Sequence, residues 1–281
     1  MRHPVFFALL LGSAAILSAC GQTGQGDVTR AVNNAAAAEA DSIRQIMLTV
    51  ADPGEAVTYF QRQVDAEPDE IEHQRGLARS LVRGGRQSEA VLAWRKVVDH
   101  DDSNNDDMVS LADALIRTSD WAAAKIVLDT IPPTHETFDR YKLEAVVADS
   151  NQQWAKADSF YETAVGLTTT PAGVLNNWGY SKLTRGDGEA AERLFTEAIT
   201  YDPKLFTAKN NLVLARATRR VYALPIVPMT QEERAQLLHT GALAAIKRGD
   251  TDIGRSMLED AIDTHPRYFE PAVRALEALN S

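Results

Sequence analysis

The chain has 281 residues, 44% of them hydrophobic and 24% charged, with a net charge of −10 and a pI near 5.1. That apolar share builds a sizeable core, whereas the acidic balance argues against nucleic acid, which asks for a basic face. The single cysteine, Cys20, excludes an intramolecular disulfide and any cysteine-based zinc or redox centre within one chain.

The first segment reads as an address. Arg2 and His3 give a positive end, and Val5 to Leu17 run apolar apart from Gly12 and Ser13. This run is shorter than the ~20 residues a spanning helix needs and has the length of a secretory core. Leu17-Ser18-Ala19-Cys20-Gly21 follows and resembles the bacterial lipobox. The resemblance implies a signal peptide over 1–19, cleavage before Cys20 and acylation of Cys20. Several acyl chains such as palmitate hold a protein permanently where one chain would not. An ordinary signal peptide, with Cys20 incidental, is the other reading. Gly21 in place of Asp favours the inner leaflet of the outer membrane, facing the periplasm. Residues 20–36, rich in Gly, Gln, Thr, Asn and Ala, are expected to form a flexible tether.

A repeat follows over 37–204. Ala56/Phe60, Ala90/Trp94, Ala124/Leu128, Ala157/Tyr161 and Ala191/Phe195 pair a small residue with a large one four positions on. The alanines stand 34, 34, 33 and 34 residues apart. The small residue lets two helices approach, and the large one fills the same face. Val97, Ile131, Ala164 and Ala198 lie three positions further, with Gln63 the exception. Gly84-Gly85, Ser119-Asp120, Asn151-Gln152 and Gly186-Asp187 fall where a first helix should turn into a second. A period of 34 is that of the tetratricopeptide repeat, a helix–turn–helix. The expected fold is therefore all-α, a right-handed tetratricopeptide solenoid of about five such repeats.

After Pro203 the pattern changes. Residues 205–234 form a degenerate repeat: Phe206 to Arg220 continues as a first helix, but Pro225 stands where the signature alanine is due. Tyr222 to Met229, with Pro225 and Pro228, cannot be an unbroken helix. Its apolar residues would not all be left in water. Ile226 and Val227 either plug the gap left by the missing helix or offer a strip to a partner. Thr230 and Glu233 form a capping box for a new helix. Residues 235–281 then hold a final repeat, with Gly254 at the signature position, and a C-terminal capping helix from Tyr268 to Leu279.

Chemistry is sparse. The histidines His3, His73, His100, His135, His239 and His265 form no His-Glu-x-x-His pair, and no metal or cofactor is expected. No nucleophile elbow occurs, and the paired glycines follow no strand, so catalysis and a small-molecule substrate are not expected. Protein binding is. Arg75, Arg79 and Arg83 stand four apart on one face of a first helix and suit carboxylates of a peptide; a solvated face balanced by acids such as Glu72 is the alternative. Asn177 and Asn211 share one repeat position; in some tetratricopeptide proteins an asparagine there holds a partner's backbone, a task that suits an amide because it both donates and accepts. Asparagine is also common there without a partner.

The lipobox, the degenerate repeats and the C-terminal half together resemble the TadD-type lipoproteins of tight-adherence (Tad/Flp) pilus systems. The resemblance is carried by Asn176-Asn177-Trp178-Gly179, Asn210-Asn211-Leu212 and Pro228-Met229-Thr230-Gln231-Glu232-Glu233-Arg234-Ala235-Gln236-Leu237-Leu238. It implies a lipid-anchored scaffold that helps assemble the pilus secretion machine, with the secretin as the component it would assist. The competing expectations are an outer-membrane β-barrel assembly factor and a lipoprotein regulator of cell-wall synthesis.

Overall fold

The computed structural model describes residues 23–280, within which fourteen helices and no strand occur. Cys20 and the signal segment lie outside the described residues. The chain divides into two compact units, Met1–Ser103 and Asn104–Ser281. The division falls inside the array expected over 37–204. The loop leading up to it, Asp99 to Asn104, carries no apolar side chain with which to pack.

In the first unit α1 (Thr23–Thr49) and α2 (Pro53–Ala66) precede the hairpin of α3 (Ile71–Arg83) and α4 (Gln87–Val98). The tether expected to reach residue 36 is instead helical from Thr23. Its Gln, Asn and Thr content suggested flexibility, but the run Ala35 to Ala38 consists of the best helix former.

The second unit opens with three complete hairpins: α5 (Asn105–Arg117) with α6 (Trp121–Thr130), α7 (Phe138–Ser150) with α8 (Trp154–Gly166), and α9 (Ala172–Thr184) with α10 (Gly188–Tyr201). Then come the unpaired α11 (Phe206–Ala217), the hairpin of α12 (Gln231–Lys247) and α13 (Thr251–Thr264), and the terminal α14 (Glu270–Asn280). The expected capping helix is α14, whose Ala272 is fully buried against the last hairpin.

The sequence signature is the core. Each of the five alanine/large-residue pairs is buried, none beyond 3% exposed. The second helices lie against small residues: a β-carbon added to Gly179 on α9 would stand 2.7 Å from the Phe195 ring on α10. Val97, Ile131, Ala164 and Ala198 are buried as expected.

The hairpin turns share one geometry. Gly85, Ser119, Gln152, Gly186, Arg220 and Gly249 all have φ between 57° and 84°. The N–H of the following residue reaches back five residues to a helix carbonyl. Arg86 donates to Leu81 at 3.0 Å, Asp120 to Leu115 at 2.9 Å, Asp187 to Lys182 at 3.0 Å and Val221 to Arg216 at 3.2 Å. These are Schellman closures, in which a left-handed residue turns the chain so that orphan carbonyls find donors. At Ser119, Gln152 and Arg220 a side chain bears the left-handed conformation that glycine adopts freely.

The turn at Arg220 explains how the degenerate repeat departs from the rest. The first helix ends as all the others do, and only the second helix is lost. Val221 offers no side-chain acceptor for a helix start, and Pro225 and Pro228 lack the N–H groups that a helix interior uses. The segment nonetheless packs: Tyr222 and Leu224 against the Leu238–Met257–Leu258 cluster, and Val227 against the Phe195–Leu212 cluster. Ile226 stands entirely in solvent, at 104% exposure. Most of the segment therefore plugs the vacated position, and Ile226 does not.

Candidate functional site

The first helices of the hairpins set out the site. Within the second unit α5 touches α7, α7 touches α9, α9 touches α11, α11 touches α12 and α12 touches α14. The second helices α6, α8 and α10 make no comparable contact with one another. First helices that crowd together while second helices fan apart put the inner curve of this unit on the first helices. On α9 the residues left exposed are Gly173, Asn177, Tyr180 and Thr184. They are spaced four, three and four apart and so form one stripe. Tyr180 is 55% exposed and Leu243, on α12, 45%.

The residues singled out from sequence meet different fates. Asn177 lies on the exposed stripe, and its amide has no partner among the described residues. Asn211, at the same repeat position, is buried and donates its amide to the Asn176 side chain at 3.0 Å, tying α11 to α9. It is not a ligand-facing residue, because the neighbouring first helix has already taken its hydrogen bond. Asn210 is likewise engaged, accepting from the Thr240 hydroxyl at 2.7 Å.

The arginine stripe of the first unit is largely consumed. Arg75 pairs with Glu72 at 2.6 Å and also donates to the Asp102 carbonyl at 3.2 Å. Arg83 donates to the carbonyls of Met47 and Ala51 at 2.8 and 2.7 Å, binding the negative end of the α1 dipole. Arg79 alone projects outward without a partner among the described residues. The balanced face, rather than a carboxylate-reading stripe, is what these residues form. Ile226 and Val227 divide as described, one exposed and one packed.

Two polar centres escaped the sequence reading. On α8, Asp158 accepts from the Trp178 indole at 2.7 Å, from Lys182 at 2.8 Å and from Arg185 at 2.7 and 3.2 Å. Burial pushes its carboxyl up, but the bonds from Arg185, Lys182 and Trp178 outweigh it and hold the group down at about 2. Beside it Asp149 accepts from Ser181 at 2.6 Å and from Tyr161 at 3.0 Å. Burial first, and Asp149 second, raise the Tyr161 phenol above its usual value. Arg185 also lies over the Trp154 ring, 5.2 Å from its centroid. This network fastens α9 to the preceding hairpin and carries the exposed stripe on its far side.

The second centre is Lys209 on α11, 2% exposed. Its ammonium donates to the Pro228 carbonyl at 2.6 Å and to Glu233 at 3.0 Å. Glu233 also closes the expected capping box, accepting from the Thr230 N–H at 3.0 Å. The plug's other end is held by Arg220 and Tyr222, which both reach Asp250. Asp250 stands at the cap position of α13 but, occupied in this way, does not cap it.

Among the described residues no group of three His, Cys, Asp or Glu is placed to hold a metal ion. No helix among them is long and apolar enough to cross a membrane.

No protein-family model matches the sequence, and no curated relative matches it. Solved structures do. A chain of the APC/C hetero-tetramer Cut9–Hcn1 is 14% identical, with 82% of this chain aligned to 46% of that one at a TM-score of 0.61. A tetratricopeptide repeat protein from Parabacteroides merdae is 12% identical over 82% of this chain and 93% of that chain, at 0.56. The fold is a tetratricopeptide-repeat fold. The C-terminal part of a repeat protein from Cytophaga hutchinsonii agrees, at 12% identity, 84% and 98% coverage and a TM-score of 0.54. The chain spans less than half the length of the first of these.

Proposed function

We propose that this chain is a lipid-anchored protein-interaction scaffold that helps assemble a Tad/Flp-type pilus secretion machine. The observation that carries the binding role is the α9 stripe: Asn177, unpartnered among the described residues, beside the exposed ring of Tyr180. A free carboxamide next to an aromatic face gives an extended peptide both a backbone partner and an apolar contact. The Asn176–Asn211 bond and the Asp158 network hold that stripe from behind, so little ordering is left to the moment of binding.

The lipobox at Cys20 supports the anchor, and the TadD-like segment from Pro228 to Leu238 supports the pilus setting. In this chain that segment ends the plug, caps α12 and opens it, which suits a family-specific stretch with a structural task. The Cut9–Hcn1 chain, of like fold, belongs to a multi-subunit assembly.

The test uses the full chain in cells. Metabolic labelling with a clickable fatty acid marks the protein, and Cys20→Ala loses both label and membrane fractionation. A photo-crosslinking amino acid at Tyr180 captures a pilus secretion component, the secretin first among them, and Asn177→Ala reduces capture severalfold. Capture of a β-barrel assembly protein or of a cell-wall synthase instead refutes the pilus role, and label retained in Cys20→Ala refutes the anchor.

A further inference from the structure

Two apolar features of the first unit stand open to solvent, and each fits the other. The first is a stripe along α1. Glu39, Ile43 and Ile46 share one face of α1, and Val50, just past its end, continues the spacing of four, three and four through its N–H bond to the Ile46 carbonyl. Ile43 is 39% exposed, Ile46 53% and Val50 79%.

The second is an open cleft of about 430 Å³ between α2 and α4, floored by α3. Val64, Leu77, Leu81, Leu92 and Ala93 line it, and Leu92 is 63% exposed. Such a cleft accepts the apolar face of an amphipathic helix, read as anchors at helical spacing.

The α1 of the same chain does not fill it. That helix is fastened to the opposite face of α3, with Arg83 on its terminal carbonyls and Arg44 3.9 Å from Glu72. Glu72 and Arg83 lie half a turn around α3 from Leu77 and Leu81, which face the cleft. Charge also matches. Lys96 stands at the rim of the cleft, and neither Lys96 nor Glu39 has an ionic partner among the described residues. The other charge on the rim, Glu89, is already paired with Arg86 at 2.5 Å.

We propose that α1 of one copy of this chain, with the residue that follows it, seats Ile43, Ile46 and Val50 in the α2–α4 cleft of a second copy, with Glu39 against Lys96. The contact is heterologous, head to tail, because stripe and cleft are different surfaces of one unit. It uses neither Asn177 nor Tyr180 and stands independently of the pilus role.

The experiment co-expresses two full-length, differently tagged copies, one with Ile46→Cys and the other with Leu92→Cys. Cys20 is present in every copy, so its background is common to all arms. Mild oxidation should give a disulfide-linked dimer carrying both tags, at least tenfold above the pairing of Ile46→Cys with Leu243→Cys. Adding Glu39→Lys to the first copy should remove that dimer, and Lys96→Glu in the second should restore it. All these positions are solvent-exposed, and circular dichroism confirms that each variant keeps its helices. The proposal is overturned by a dimer no stronger than the control, by an Ile46-to-Ile46 dimer of equal yield, or by indifference to the charge swap.

Discussion

Replacing Lys209 with Met keeps the aliphatic stem in its buried slot and removes only the ammonium. Two acceptors then lose their donor: the Pro228 carbonyl at 2.6 Å and the Glu233 carboxylate at 3.0 Å. Removing one partner of a buried ion pair costs ~3–5 kcal/mol, and a buried carbonyl left unanswered costs ~1–3 kcal/mol. The two costs overlap, since one nitrogen serves both groups. Glu233 retains 23% side-chain exposure and the Thr230 N–H, so its charge stays partly solvated and the low end applies. A loss of about 3 kcal/mol lowers the melting temperature of a unit this size by roughly 6–12 °C. Thermal melts followed by circular dichroism read this directly, and hydrogen exchange should show faster opening from Val227 to Thr230. Adding Glu233→Gln should recover part of the loss, because no buried charge then lacks its counterpart. The acid limb adds a sign. Burial pushes the Glu233 carboxyl up, but Lys209 and the Thr230 N–H outweigh it and hold it below its usual value. The pair's contribution is thus present above about pH 4.3 and disappears as pH falls through the lowered value, so wild type and Lys209→Met converge in acid. A melting shift under 2 °C at neutral pH would refute the assignment of Lys209 as the fastening of the plug.

Gly179→Ala should destabilise by ~1–3 kcal/mol, because the new methyl meets the rigid Phe195 ring. Gly241→Ala should cost far less, since the atom it meets is the mobile end of Met257; equal melting shifts for the two would contradict this account of close approach. Asp158, held near 2 against an ordinary 3.8, contributes about 2 kcal/mol at neutral pH that is lost between roughly pH 4 and pH 2. Asp158→Asn should therefore melt lower at pH 7 and show a flatter acid transition, and an unchanged acid transition counts against the network. Val227→Ser should lower the melting temperature and Ile226→Ser should leave it within a degree, since only Val227 is packed; the reverse order in calorimetry would invert the reading of the plug.

Much of the fold was legible because it is periodic. The Ala191/Phe195 pair and its four counterparts stand at core positions that any helical hairpin of this period must bury, and Thr230 with Glu233 is a local signal that needs no tertiary knowledge. The site was less legible because a repeat position fixes which face a residue occupies but not what reaches it there. Asn177 and Asn211 occupy equivalent positions, yet Asn176 comes close enough to take the second and no described residue takes the first. Arg83 looked like a ligand for acids, while its actual partners are the carbonyls of Met47 and Ala51, backbone groups with no sequence signature. Asp158 and Lys209 were passed over for a related reason: each gathers partners from 19 to 27 residues away, and spacing within one helix does not reveal such convergence.

The left-handed turn at Arg220 makes the plug a replaceable cassette. The chain leaves α11 with the exit geometry that elsewhere launches a second helix, and it restarts at Thr230 with an autonomous cap. An engineer could exchange the stretch from Val221 to Met229 for a copy of α10 with its cap Asp187 and rebuild a regular module without redesigning either flank. Asp250, freed from Arg220 and Tyr222, would then be able to cap α13 as Asp187 caps α10. The irregularity is thus confined to one segment, and its ends already follow the grammar of the array.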